Sequence, residues 1–167
     1  MDKAIKVINE MQLKGIVKKY AVGGAVAAIF YVEPILTYDL DVFFEPSEGN
    51  DGLLALSSVY DHLKRKGYKV EKEHIIVEGI PVQFLPIYND LVEEAVDNAT
   101  RLKYRDTTVN VLTQEYLIAI MIQTARPKDK ERIVKFLDEG NFDETQLEKI
   151  LEKHNLKTAF GMFRRLK

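Results

Sequence analysis

The sequence predicts an α/β (α+β) fold, a mixed β-sheet flanked by helices, with an all-helical C-terminal third. Three observations predict it. Tyr20–Phe30 runs from an apolar segment through Gly23-Gly24 into small apolar residues, the pattern of strand, tight turn and helix. Between Tyr68 and Leu85 the apolar period shortens to that of successive short strands. Beyond Thr113 the apolar positions return to helical spacing. The expected organisation is a core over residues 1–112 and a helical subdomain over 113–167 packed on it.

In chain order, Asp2 is placed to cap a helix in which Ile5, Val7, Ile8 and Met11 recur at helical spacing and which ends near Gly15. This helix is expected to cover one edge of the sheet. Ile16–Val22 reads as the first strand and Gly24–Val32 as the second helix, stopped by Glu33-Pro34. Ile35–Glu45 reads as a strand, and residues 46–50 have turn composition. A helix opening at Asn50 or Asp51 and running to Lys66 offers Leu53, Leu54, Leu56, Val59, Tyr60 and Leu63 as its apolar face. Strands follow over Tyr68–Glu71, Ile75–Glu78 and Ile80–Leu85, then a helix from Asn89 or Asp90 to about Ala99. Arg101–Tyr104 and Thr108–Leu112 form a further strand or hairpin. Thr113 caps a helix with Tyr116, Leu117, Ile120, Met121 and Thr124 toward the core, and Arg126-Pro127 breaks it. Helices over Pro127–Glu139, Asp143–His154 and Leu156–Arg165 complete the chain.

Composition narrows the function classes. A chain of 167 residues with 46% hydrophobic and 30% charged content can bury a real core. Its net charge of −2 sets up no global basic field, so nucleic-acid contact would be local. Zero cysteines remove disulfides, thiolate nucleophiles and cysteine-ligated zinc. The longest apolar run, Ala21–Val32, is too short to span a bilayer, and the N-terminus lacks the form of a signal peptide. The expectation is a cytoplasmic protein with no membrane partner.

The chemistry concentrates between residues 23 and 41. Strand alternation sets Asp39 and Asp41 on one face, roughly 6.5 to 7 Å apart at their Cα atoms. Two carboxylates so placed repel each other unless a cation sits between them, and hard, oxygen-liganded Mg2+ or Mn2+ carrying phosphates suits them. Gly23 and Gly24 let backbone approach a ligand closely, and the amides opening the next helix attract anions. The plainer readings are a solvated strand face and an ordinary tight turn.

Val22-Gly23-Gly24, a spacer of fourteen residues and Asp39-Leu40-Asp41-Val42 resemble the signature of the polymerase-β-like nucleotidyltransferase superfamily. Val82–Pro86, Leu91–Val96, Glu115–Ala119 and Arg126–Arg132 look most like its small prokaryotic branch, grouped with the nucleotidyltransferase component of type IV toxin-antitoxin systems. The resemblance spans about residues 15 to 140 and implies an enzyme that binds an NTP with Mg2+ or Mn2+. Asp39 and Asp41 would hold metal. Gly23, Gly24, Thr37, Arg126 and Lys128 would meet the nucleotide.

The resemblance also implies a third carboxylate on a later strand. Gln83 stands there; it offers a neutral carbonyl, adds no charge and cannot act as a base. Glu73, Glu78 and Asp90 are the nearby acids, though none is at the matching position. Ile35 and Met121 occupy positions where such relatives often carry arginine and lysine. Arg126, Lys128, Lys130 and Arg132 surround a helix start, where they either meet phosphate or pair with neighbouring acids on a solvated helix. His62, His74 and His154 show no metal or triad spacing and read as ordinary polar residues; Tyr20, Tyr31, Phe43 and Tyr104 read as packing.

Two function classes follow, with a third behind them. The first is nucleoside monophosphate transfer to a hydroxyl of RNA, protein or a small molecule, with Asp39, Asp41 and Gln83 at the reacting centre. The second is a catalytically degenerate binding or regulatory module of a toxin-antitoxin or phage-defence system, with a cognate protein partner. The third is a nucleic-acid binder using Arg164, Arg165 and Lys167.

Overall fold

The computed structural model describes residues 1–32, 37–47 and 53–164. Seven strands form one sheet: β1 (Val17–Val22), β2 (Leu40–Pro46), β3 (Lys69–Glu71), β4 (His74–Val77), β5 (Ile80–Pro86), β6 (Thr100–Tyr104) and β7 (Thr107–Val111). Their order is β3-β4-β5-β2-β1-β7-β6. β2 runs parallel to β5 and β1 parallel to β7, while every other pair is antiparallel, so the sheet is mixed as expected. Eight helices accompany it among the described residues: α1 (Asp2–Leu13), α2 (Gly24–Ala28), α3 (Leu53–Arg65), α4 (Asp90–Asp97), α5 (Gln114–Thr124), α6 (Pro127–Glu139), α7 (Glu144–Lys153) and α8 (Lys157–Arg164).

Both faces of the sheet are covered, which explains the apolar content of its central strands. On one face Leu40, Val42 and Phe44 of β2 are fully buried; Phe84 of β5 stacks edge-on against Phe44 and against Tyr60 of α3. Tyr20 projects to the same face, and its hydroxyl donates to Asn9 of α1. The opposite face carries Asp41, Phe43 and Gln83, with α4 and α5 over its central part: Lys19 of β1 reaches Asp97 of α4 at 2.6 Å. α5 is apolar all round, with every residue from Tyr116 to Ile122 buried, because α2, α4, α6 and α7 surround it.

Several expected boundaries shift. α1 lies across a sheet face over β1 and β7 instead of covering an edge, and Asp2 is its first residue, accepting from Thr107 and pairing with Lys6, instead of its cap. α2 stops at Ala28, not Val32. β2 begins at Leu40, so Asp39 precedes the strand; the expected residues 33–36, like the α3 cap at Asn50 or Asp51, fall outside the described residues, as do Arg165 and Lys167. Leu53 and Leu54 are exposed because the buried face of α3 runs through Ala55, Val59 and Leu63. Thr113 precedes α5 without a side-chain cap bond, and Thr124 turns toward Asp129 instead of the core. Asn89 does cap α4, accepting from the Val92 amide at 2.9 Å.

Phe44 is wholly buried, with the Phe84 ring edge-on against it. Phe44→Ala should cost about 3 to 5 kcal/mol in urea unfolding, with the denaturant slope unchanged.

Candidate functional site

The site begins with the pairing of β1 and β2. Their antiparallel register sets Val22 opposite Val42, and one step further the Gly23 amide donates to the Asp41 carbonyl at 2.9 Å. Gly24 follows in the left-handed region, φ +59°, and a Cβ built on it would lie 1.9 Å from Oδ2 of Asp41. A Cβ on Gly23 would lie 2.4 Å from the Phe43 ring. Both glycines therefore clear space for β2 side chains. α2 covers only five residues, so its dipole is small and the anion attraction expected of its N-terminus is correspondingly weak. Gly24 reaches the wall of a small recess beside Asp41; Gly23 is buried behind it.

Asp41 is half-buried, and among the described residues no hydrogen bond or ion pair reaches its carboxylate. Burial pushes its pKa up, and the neighbouring Asp39 carboxylate adds to the shift; the more distant Arg126, Arg132 and His74 oppose it. Asp39 is oriented by Thr37, whose hydroxyl donates to Oδ1 at 2.7 Å. Parallel pairing of β2 with β5 puts Gln83 directly beside Asp41. Asp39, Asp41, Thr37, Gln83, Arg126 and Lys128 all line one open cleft of about 880 Å³. Glu73, Glu78 and Asp90 are not among its walls. A smaller recess of about 180 Å³ opens beside Asp41 and Gln83, walled by Phe43, Leu112, Leu117 and Met121.

The opposite wall is cationic and is held by a residue that sequence reasoning did not single out. Asp129, fully buried near the start of α6, accepts from Arg126 Nε at 2.9 Å, from Thr124 at 2.8 Å and from the Arg126 amide at 3.3 Å, with Arg132 Nη1 at 3.6 Å. One carboxylate thus serves two guanidiniums, leaving net positive charge facing the acids. The N3 position of Asp129 after Arg126-Pro127 is the signal that would have found it. Lys128 lines the same cleft, while Lys130 points elsewhere.

His74, read from the sequence as an ordinary polar residue, lies at the site. It opens β4, lines the cleft, and holds Nε2 3.9 Å from Asp39 Oδ2. Of the other histidines, His154 bonds to Glu94 at 2.9 Å, between α7 and α4. Tyr20 and Tyr31 do pack, as expected, whereas Phe43 also forms recess wall beside the exposed Tyr88.

The donor set suits a hard divalent cation: two adjacent carboxylates, one of them without a hydrogen-bonding partner among the described residues. Among those residues no group of three or more His, Cys, Asp or Glu side chains is arranged to hold a metal. A hard divalent cation held by these two carboxylates would need further oxygen ligands from outside the protein.

No protein-family model matches the sequence, and no curated protein matches it. Among solved structures, the antibiotic-resistance factor ANT(2'')-Ia is similar over 99% of this chain and 98% of its own, with 14% identity and a TM-score of 0.53. An antigenic nucleotidyltransferase-like protein from Paracoccidioides brasiliensis is similar over 95% of this chain and 92% of its own, with 16% identity and a TM-score of 0.55. These likenesses show a nucleotidyltransferase-like fold. No helix among the described residues is long and apolar enough to cross a membrane.

Because the Asp41 pKa is raised on folding, the favourable contribution of its neutral form is present at low pH and lost as pH rises through the folded-state value. Asp41→Asn should therefore raise the melting temperature of the cation-free protein at neutral pH. In calorimetry at acidic pH, where wild-type Asp41 is also neutral, the difference should vanish. Gly24→Ala should lower stability by about 1 to 3 kcal/mol, since it adds left-handed strain and a collision with Asp41.

Proposed function

We propose that this chain is a nucleotidyltransferase that binds a nucleoside triphosphate with Mg2+ or Mn2+ between Asp39, Asp41 and the arginine wall, and transfers a nucleoside monophosphate to a hydroxyl acceptor. The observation that carries the reading is Asp41. It is a half-buried carboxylate beside a second carboxylate, with no hydrogen bond from the described residues and two guanidiniums across the cleft. Such a group is destabilising in the folded protein unless a bound cation compensates it. The likeness of fold to a nucleotidyltransferase-like protein supports the reading.

Each residue then has a task. Thr37 fixes the Asp39 carboxylate, and Gly24 keeps the wall open above Asp41. Arg126, Lys128 and Arg132 face the triphosphate, with Asp129 holding both arginines in place. A bound divalent cation supplies charge neutralisation and acidifies the acceptor hydroxyl. The acceptor oxygen bonds to the α-phosphorus as its bond to the pyrophosphate oxygen breaks, and the hydroxyl proton leaves to water. Gln83 lines the acceptor side, next to the apolar recess. The acceptor is a hydroxyl of RNA, a protein or a small molecule. In the same proposal residues 1–112 form a core supplying the acids and residues 113–167 a helical subdomain supplying the cations.

A second reading rests on Gln83. A neutral amide beside Asp41 cannot take a proton, and a protein that kept the nucleotide but lost the transfer would be a binding or regulatory partner, as in a toxin-antitoxin or phage-defence pair.

Titration calorimetry with ATP and Mg2+ tests the site: the double variant Asp39→Ala/Asp41→Ala should lose at least tenfold in affinity, and α-phosphate label transfer should disappear with it. Unchanged binding in that variant would falsify the assignment. Gln83→Asp separates the two readings. A silent wild-type that acquires cation-dependent transfer on that substitution is a degenerate enzyme.

A further inference from the structure

We propose that His74 is a positioning residue for Asp39, donating its Nε2 hydrogen to Oδ2 of the carboxylate when nucleotide and cation fill the cleft. The inference rests on the reading of Asp39 and Asp41 as the cation-holding pair.

Three observations converge on it. The Nε2 atom of His74 is inaccessible to solvent and has no hydrogen-bond partner among the described residues, a condition that calls for a physical explanation. Oδ2 of Asp39 lies 3.9 Å from it, too far for a hydrogen bond and close enough for a small side-chain rotation to make one, while Glu73 Oε1 stands 3.9 Å from the other ring nitrogen, Nδ1. The two oxygens of Asp39 are also distinguished: Oδ1 already accepts from Thr37 at 2.7 Å, and Oδ2 is the one facing His74.

Sheet register explains how a histidine comes to stand there. Antiparallel pairing of β4 with β5 sets Ile75 opposite Val82; one residue further, His74 falls opposite Gln83. Parallel pairing of β5 with β2 sets Gln83 opposite Asp41. A row of polar side chains therefore crosses three strands, Asp41, Gln83 and His74, with Asp39 at its border. The protein offers the cation two carboxylates and a neutral amide, so the orientation of each carboxylate matters more than it would with a third charge present. Carboxylates that hold a metal are themselves commonly hydrogen-bonded, and loss of such a partner typically weakens cation binding by about 10- to 100-fold. The donor is an N–H in both the neutral Nε2–H tautomer and the imidazolium, so the device does not depend on a charge on His74.

The test uses the full chain, Mn2+ and α,β-methylene-ATP, which binds without reacting. Free Mn2+ is read by electron paramagnetic resonance, and folding of each variant is checked by melting. His74→Leu should weaken retention of Mn2+ by about 10- to 100-fold. His74→Gln, which keeps an N–H at a similar reach, should restore it to near the wild-type value. Equal Mn2+ retention in wild type and His74→Leu overturns the proposal, as does a His74→Gln protein as weak as His74→Leu. Wild-type protein supplies an independent readout should His74→Leu fail to fold. The Nε2–H signal of His74 in nitrogen-15 spectra should move on addition of Mg2+ with the analogue, and should stay still in Asp39→Ala. A signal that stays still in both proteins overturns the proposal. If the double variant Asp39→Ala/Asp41→Ala retains Mn2+ like wild type, the cation-site reading itself has failed, a result distinct from failure of the His74 inference.

Discussion

The antiparallel register of β1 on β2 is the constraint on which the cleft depends. It brings Gly23 and Gly24 against Asp41, seventeen residues further along from Gly24, through one amide-to-carbonyl bond at 2.9 Å. A slip by one residue would reverse the faces of β2, burying Asp41 and turning Leu40 and Val42 to the cleft. The buried side chains of Tyr20, Val42 and Phe44 oppose that slip, since each would lose its packing. Hydrophobic register thus enforces the position of a charged group that contributes nothing favourable of its own to the fold.

The cleft is built as two unbalanced walls. On the sheet side the Asp39 carboxylate adds to the cost of ionising Asp41, and Thr37 holds only one of their four oxygens. On the helix side Asp129 is buried and well bonded, yet it balances only one of the two arginines around it. Neither wall closes on the other by an ion pair among the described residues. Opposed surplus charges held apart by the sheet and a capped helix are complementary to a ligand carrying both signs, which is the ground on which the proposed metal-bound polyphosphate rests. Stability is surrendered at the site and recovered in the core, where α5 and the central strands bury nearly continuous apolar surface.

Much of this was legible in the residues. Alternation along Ile80–Leu85 placed Gln83 on the face opposite Val82 and Phe84, and the register with β2 bears that out. The three helices after Pro127 and the Asn89 cap also follow from local signals. What local signals missed is consistent in kind. Leu53 and Leu54 read as core because they are apolar at helical spacing, but the buried face of α3 runs through Ala55, Val59 and Leu63, with Tyr60 against Phe84 of β5. Asp129 lies among charges of both signs; its N3 position is a local capping signal, but its burial is set by packing.

The sequence alone determined which segments are strands and helices, because period and turn chemistry are local properties, and it picked out Gly24, Asp39 and Asp41 by their spacing and Gln83 through the resemblance. Only the tertiary structure decided that α1 lies across β1 and β7, that Asp129 holds Arg126 and Arg132 over the acids, and that His74 faces Asp39. Those outcomes depend on strand order and on which residues meet across the sheet, where pairing joins positions far apart in the chain. A histidine opposite a glutamine becomes visible only after β4 has found β5 and β5 has found β2.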